Sequence, residues 1–211
     1  MKSVVVHSGG MDSSICLALA IRQFSKEEVI SLSFDYEQRH ALELEAAARI
    51  AGDWGVEHQV IPVDVLKQVT DNALMNQAQE IRSTADSLVV GRNGLMARLA
   101  AIYAHHRGAR AIVMGVLELE TDYRDCSRHY MDLMQEILRI DLADNLFEIQ
   151  TPLIALTKAE TMHVAEELGV LDYLLEHTVT CYRGIPREGC GNCPSCLLRQ
   201  QGLEQYRASL V

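Results

Sequence analysis

The sequence predicts a doubly wound α/β domain with a mostly parallel sheet. Three observations predict it. Short β-branched runs alternate with longer helical patterns from residue 4 to 168, the signature of parallel strands joined by helical crossovers. The first run ends in a glycine pair and passes at once into an amphipathic stretch, which is the local form of a strand–turn–helix unit. The chain has 211 residues, 48% of them hydrophobic, enough for one substantial core and too apolar for a disordered chain.

The elements follow in order. Val4 to Val6 reads as a buried strand and Ile15 to Phe24 as a helix with Cys16 on its apolar face. Val29 to Phe34 is a second β-rich run, and the Ala/Leu/Glu-rich stretch from Ala41 to Trp54 a helix. Glu57 to Val63 reads as a third strand, Asn93 to Arg107 as a helix of small residues, and Ala111 to Gly115 as a strand ending at glycine. Ser127 to Asp141 and Thr157 to Leu168 are helical. Residues 70 to 92 are polar and weakly periodic, so a loop or lid is expected there. From His177 onward Gly, Pro and Cys take over, which divides the chain into an α/β domain over 1–176 and a C-terminal segment over 177–211 packed on it.

The formal net charge is −10, from 19 basic and 29 acidic residues. So acidic a chain is a poor fit to a nucleic-acid backbone, and no nucleic-acid partner is expected; a nucleotide needs only a few local donors. No apolar run approaches the ~20 residues of a membrane span. Met1 to Val6 is too short before Gly9 to form a secretory signal, so the expected location is cytoplasmic.

Cys181, Cys190, Cys193 and Cys196 follow C-x8-C-x2-C-x2-C. That spacing suits tetrahedral thiolate coordination, and Gly189 and Gly191 permit the turns that aim the sulfurs at one point. Zinc is favoured, as a closed structural clamp; an iron–sulfur cluster is the competing occupant. The remaining two cysteines, Cys16 and Cys126, stand apart.

Ser8-Gly9-Gly10-Met11-Asp12-Ser13 lies between the first strand and the first helix. Backbone N–H groups of such a turn and the positive end of the helix make an anion site, and glycines let a phosphate approach. A plain turn with Asp12 or Ser13 as helix cap is the other reading. No lysine follows as in a Walker A loop, and G-x-G-x-x-G is absent. The stretch resembles the loop of the PP-loop ATP pyrophosphatases. That resemblance implies that Ser8, Gly9, Gly10 and Ser13 grip pyrophosphate, with Asp12 positioning the loop or a magnesium ion.

Taken in order, "SGGMDSS" (8–14), "SFDYEQRH" (33–40), "GRN" (91–93), "AAIYAHHRGARAIVMGV" (100–116), "DYRDC" (122–126), "TPLIALTKAETMHVAEELGVLDYL" (151–174) and "TVTCYRGIPREGCGNCPSCLLRQQGLEQY" (178–206) resemble the 7-cyano-7-deazaguanine synthase family. The resemblance implies a carbon–nitrogen ligase. ATP with magnesium would activate 7-carboxy-7-deazaguanine as an acyl-adenylate, ammonia would give the amide, and a second activation would give the nitrile, a queuosine and archaeosine precursor. It implies catalytic roles for Asp12, Lys158 and Arg39, phosphate or adenine contacts from Gln38, Arg92 and Gly115, and substrate contacts from Tyr36, Asn93, Asp122 and Asp125. Capping of the next helix is a rival role for Asn93. A homodimer is expected from the family; the wide apolar set between Met131 and Ile140 suits an interface or core packing alone.

Three stretches depart from the family pattern: "LELETDYRDCSRH" lacks its Gly and Pro, "SLVV" precedes Gly91 where Phe-Val-Pro is usual, and Glu37 stands where Gly is common. They lie near the expected substrate pocket. Two further readings follow: a relative that stops at the amide or joins the deazaguanine to another amine, such as one on a protein, and a PP-loop enzyme that modifies transfer RNA.

Overall fold

The computed structural model describes residues 2–37, 42–74, 76, 79–119, 121 and 123–210. Among these, β1 (Ser3–Val6), β2 (Val29–Asp35), β3 (Glu57–Pro62), β4 (Ala111–Met114) and β5 (Glu148–Gln150) form one sheet in the order β3-β2-β1-β4-β5. Every pairing is parallel. Val4 sits at the centre, paired with Ile30 on one side and Ile112 on the other. The helices are α1 (Met11–Phe24), α2 (Leu42–Asp53), α3 (Leu66–Val69), α4 (Arg92–His106), α5 (Arg128–Leu142), α6 (Lys158–Glu167), α7 (Leu171–His177) and α8 (Pro194–Ser209).

Side chains alternate between the two faces of each strand. Val4, Ile30, Leu32, Ile112 and Ile149 pack in one core with Met96 and Ala97 of α4 and Met131 and Leu138 of α5. Val5, Val29 and Val113 pack in a second with Ile15 and Leu17 of α1, Ile50 of α2 and Met162 of α6. Chain direction explains the division. It steps outward from β1 through β2 to β3, then returns to the other side of β1 for β4 and β5. Right-handed crossovers therefore put α4 and α5 on the face opposite α1 and α2. The reversal leaves a crevice at the carboxyl ends of β1 and β4, where open α/β sheets bind ligands.

The expected α/β class holds, with local differences. α1 begins at Met11, not Ile15, and its N-cap is Gly10 with no side-chain cap, so neither Asp12 nor Ser13 caps it. β5 was not expected: Ile149 alone is buried in a three-residue strand, too short for a periodic signal. α7 and α8 were also not anticipated, although Pro194 at the first turn of α8 suits a helix start. The segment from 70 to 92 is largely irregular, with one 3-10 turn at Ala85–Ser87. It is nevertheless anchored, since Ala73, Leu74, Ile81 and Val89 are buried in the α4/α5 core.

Gly9 has φ +81°, and a Cβ there would lie 2.1 Å from the Glu43 carbonyl oxygen and 2.8 Å from the Ala47 nitrogen of α2. Gly108 has a similar φ of +69° but open space around it. Gly108→Ala should therefore lose only the left-handed backbone cost of roughly 1–2 kcal/mol. Gly9→Ala must also push a helix backbone aside and should lose clearly more. Urea unfolding of both variants checks this; equal losses would contradict it.

Candidate active site

A cleft of about 270 Å³ opens at the carboxyl ends of β1, β2 and β4. Its walls include Ser8, Asp12 and Ser13 from the turn after β1, Tyr36 after β2, Glu43 of α2, Arg92 and Asn93 of α4, and Gly115 after β4. Seven residues singled out in the sequence thus meet there with Glu43. Gln38, Arg39 and Asp122 lie outside the described residues.

The turn is organised by its own hydroxyls. Ser8 Oγ accepts from the Gly10 N–H at 3.3 Å and lies 3.1 Å from Ser13 Oγ. Ser13 Oγ accepts from the Ser8 N–H at 3.2 Å and donates to the Gly10 carbonyl at 3.0 Å. The first N–H groups of α1 have no intrahelical acceptor and no side chain caps Gly10. An uncapped helix start facing a cleft is suited to an anion. The glycines also do work that the sequence did not show. Gly9 is required by α2, not by open space. Gly115 is required by the turn itself: a Cβ there would lie 2.8 Å from the Ser13 nitrogen and the Asp12 carbonyl carbon.

Behind the turn runs a buried polar chain that sequence spacing did not reveal. Ser14 Oγ donates to the Gly10 carbonyl at 2.8 Å. Its one proton so committed, it accepts from His7 Nε2 at 3.0 Å. His7 Nδ1 then accepts from Ser31 Oγ at 2.9 Å, and Ser31 accepts in turn from His58 Nδ1 at 2.9 Å. His7 is fully buried; desolvation, with His58 nearby, holds it down to about 3, so the ring is neutral at physiological pH. The chain ends on the carbonyl that starts α1, and so braces the turn from below.

Lys158, the first residue of α6, is only 2% exposed and forms an ion pair with Asp12. The lysine opposes the helix dipole; the Thr157–Glu160 capping box supplies a compensating acid in the same turn. Its stem passes where Gly202 of α8 has no side chain: a Cβ at Gly202 would lie 2.5 Å from Lys158 Cγ and 2.7 Å from its Cβ. Nothing in the sequence tied Gly202 to Lys158, forty-four positions away.

Arg92 follows Gly91, which takes the left-handed conformation at φ +69°. Its guanidinium stands over the Tyr36 ring at 6.0 Å. Burial works against its charge, and Tyr36, Tyr182, Tyr123 and Asp125 more than offset this, so Arg92 stays cationic. Asn93 is not a cap. Asp125 caps α4 instead, accepting from the Asn93 N–H at 2.9 Å, and is buried. Asp125 is therefore engaged by backbone where substrate contact was expected. The Asn93 amide donates to Cys126 Sγ at 3.3 Å. Burial, with Asp125 close, pushes the Cys126 thiol up to about 11, so it is not a thiolate nucleophile at neutral pH. Cys16 is a core residue, as expected.

The four sulfurs of Cys181, Cys190, Cys193 and Cys196 lie within 4.8 Å of one another, near the spacing a tetrahedral zinc site requires with Zn–S of about 2.3 Å. Gly189 has φ +73°, and a Cβ there would come within 2.4 Å of Cys196 Sγ; Gly191 has φ +72°. The Arg183 N–H donates to Cys181 Sγ at 3.3 Å. Buried Arg199 lies close enough to Cys196 to feel its charge and donates to the Arg187 and Leu175 carbonyls. The donor set fits a metal. The residue after Cys181 turns into the cleft: Tyr182 lines it, with its hydroxyl 3.5 Å from that of Tyr123, which in turn lies 2.6 Å from Ser87 Oγ.

A phosphate-type turn and Tyr182 of the four-thiol segment line one cleft, and buried Lys158 is paired with Asp12 on its wall. The family model of the Queuosine biosynthesis protein QueC matches residues 2–207. The chain belongs to the QueC family. Solved structures agree on the fold. The chain is similar to a 4-thiouridine synthetase in a crystal structure of its complex with RNA and bound ATP, at 16% identity and a TM-score of 0.53, over 98% of this chain and 53% of that one. It thus spans about half the length of that synthetase. It is also similar to an NMN synthetase from Francisella tularensis, at 16% identity and a TM-score of 0.50, over 98% of this chain and 85% of that one. At such identity these likenesses show a shared fold.

In this QueC-family chain the fit of Lys158 against α8 is directly testable. Gly202→Ala should displace the Lys158 stem and lower the rate of ATP-dependent turnover about 100-fold, the scale of a 1 Å misplacement near the chemistry, while the protein stays folded. Circular dichroism and pyrophosphate release measure the two. Unchanged turnover would show that the contact does not position Lys158.

Proposed function

We propose that the chain converts 7-carboxy-7-deazaguanine to 7-cyano-7-deazaguanine, using ATP and ammonia, through an acyl-adenylate and an amide. The observation that carries this reading is the uncapped start of α1, beside Lys158 and Asp12, opening into a cleft on a chain of the QueC family. A carboxylate resists nucleophiles because it is negative and has no leaving group. Adenylation turns one oxygen into a phosphate that can leave. The charge that develops on departing pyrophosphate then needs fixed donors. Ser8, Gly9, Gly10 and Ser13 are assigned to hold it, with Lys158 and Arg92 supplying positive charge. Asp12 holds Lys158 and is available to a magnesium ion, whose chemistry is to neutralise the ATP phosphates.

Tyr36, Asn93 and Gly115 line the space left for adenine and the deazapurine. Asp125 acts through Asn93, and Arg39, Gln38 and Asp122 keep the roles implied by the resemblance alone. Zinc is the proposed occupant of the four-thiol site, as a redox-silent clamp. The 1–176 and 177–211 segments are proposed as the ATP-binding unit and its metal-held appendage. A cytoplasmic homodimer is proposed too. α5 buries Met131 and Leu138 but exposes Leu133, Ile137 and Ile140, an apolar face suited to a second copy. Among the described residues no helix is long and apolar enough to cross a membrane.

The test is product analysis by mass spectrometry after incubation with ATP, magnesium, 7-carboxy-7-deazaguanine and ammonia, with Asp12→Ala as the control. The expected result is the nitrile with AMP and pyrophosphate, and loss of both in the control. Accumulation of the amide, or appearance of the deazaguanine on a protein amine or on RNA, would overturn the assignment in favour of the corresponding relative.

A further inference from the structure

The proposed reaction twice removes protons from nitrogen, and among the described residues the cleft contains one group arranged to take them. Of the carboxylates that line it among the described residues, Asp12 is engaged by Lys158. The other is Glu43. It lies in the first turn of α2, half-buried, with its own carbonyl pressed against Gly9. That contact fixes its backbone relative to the phosphate turn. No side-chain hydrogen bond or ion pair among the described residues holds its carboxylate. Among the described residues the charged and titratable groups that face it are Arg92 of α4 and Tyr36 after β2, with Asp35 beyond Tyr36. The alternatives on the cleft wall are unsuited to the task. His7 is sealed in its hydrogen-bond chain, Cys126 is a protonated thiol, and burial raises both Tyr36 and Tyr182 further above neutrality.

We propose that Glu43 is the general base of this reaction, accepting the proton that each nitrogen must lose at the activated carbon. The inference rests on the function proposed above. In the first stage the lone pair of free ammonia forms the C–N bond, and the bond from carbon to the AMP oxygen breaks with its electrons leaving on AMP. The attached nitrogen, now carrying three hydrogens and a positive charge, gives one proton to the Glu43 carboxylate, which passes it to water before the second stage, and the amide remains. In the second stage the amide oxygen attacks the α-phosphorus of a new ATP and pyrophosphate leaves, and the O-adenylated amide loses one of its two N–H protons to water to give the neutral imidate. Glu43 then takes the remaining N–H proton as the C–O bond breaks with its electrons leaving on AMP, and the N–H electron pair completes the C≡N triple bond while nitrogen keeps its lone pair. Burial pushes the Glu43 carboxyl up to about 7 against the pull of Arg92, which matches a base to neutral pH. The sign follows: the carboxylate is the active form, so the rate of amide and nitrile formation rises as pH passes upward through about 7.

The test compares wild type with Glu43→Gln and Glu43→Asp in two assays. One is pyrophosphate exchange into ATP dependent on 7-carboxy-7-deazaguanine, which reads adenylation and requires no proton transfer from nitrogen. The other is amide and nitrile formation at fixed free-ammonia concentration across pH. Glu43→Gln should retain exchange within a few-fold and lose about 100- to 10,000-fold in nitrogen transfer at neutral pH, the usual worth of a general base, with the rise near pH 7 abolished. Glu43→Asp should recover part of the rate. If exchange and transfer fall together, or if the pH rise survives in Glu43→Gln, Glu43 is not the base. If the wild type shows no exchange with this carboxylate, the failure is that of the proposed function itself.

Discussion

The phosphate-type turn depends on backbones that approach one another only because glycines remove a side chain. Gly9 lets the turn rest on α2, and Gly115 lets the end of β4 rest on the turn. On the far side Gly202 lets α8 close over Lys158, which reaches Asp12. Each contact would be forbidden by one added carbon, and protein interiors cannot absorb such a clash elastically. The consequence is a rigid cradle. Its hydroxyls bond to each other, its helix start is uncapped, and its carbonyl Gly10 is braced by Ser14, His7, Ser31 and His58. Donors held this firmly need little reorganisation when charge develops before them.

The cysteine segment serves the same cleft from a distance. Cys181 is followed at once by Tyr182, which forms part of the wall, and Cys196 lies on the helix that carries Gly202. A metal at the four sulfurs would therefore hold both a wall residue and the packing of Lys158. A closed four-thiolate shell has no open position for chemistry, yet its geometric reach extends to the reacting centre. Buried Arg199 extends this tie by fastening the loop to the end of α7.

Much of this was legible in the sequence because it rests on short-range patterns. β1, β2 and β4 are buried on both faces of a parallel sheet, so they read as unbroken apolar or small runs. The turn and the thiols are contiguous motifs. What escaped reading depends on tertiary approach. β5 is recognisable only by pairing with β4. Asn93 looked like a cap because its position was suitable, but the cap comes from Asp125, thirty-two residues later. His7 follows an apolar strand and gives no hint that Ser14, Ser31 and His58 converge on it. Glu43 lay inside an ordinary Glu-rich helix pattern, and only the fold shows that its turn faces the cleft. Gly9 and Gly115 also admit other parts of the same chain, a close approach that the sequence does not show.

The central claim is that the turn from Ser8 to Ser13 holds the β- and γ-phosphates of ATP while the α-phosphate faces the acid to be activated. A crystal structure with magnesium and a non-hydrolysable ATP analogue tests it most directly. The account predicts phosphate oxygens within hydrogen-bond distance of the backbone N–H groups at the start of α1 and of Lys158 Nζ, with adenine in the space beside Gly115. Nucleotide bound elsewhere in the cleft, with the start of α1 free of phosphate, would contradict it.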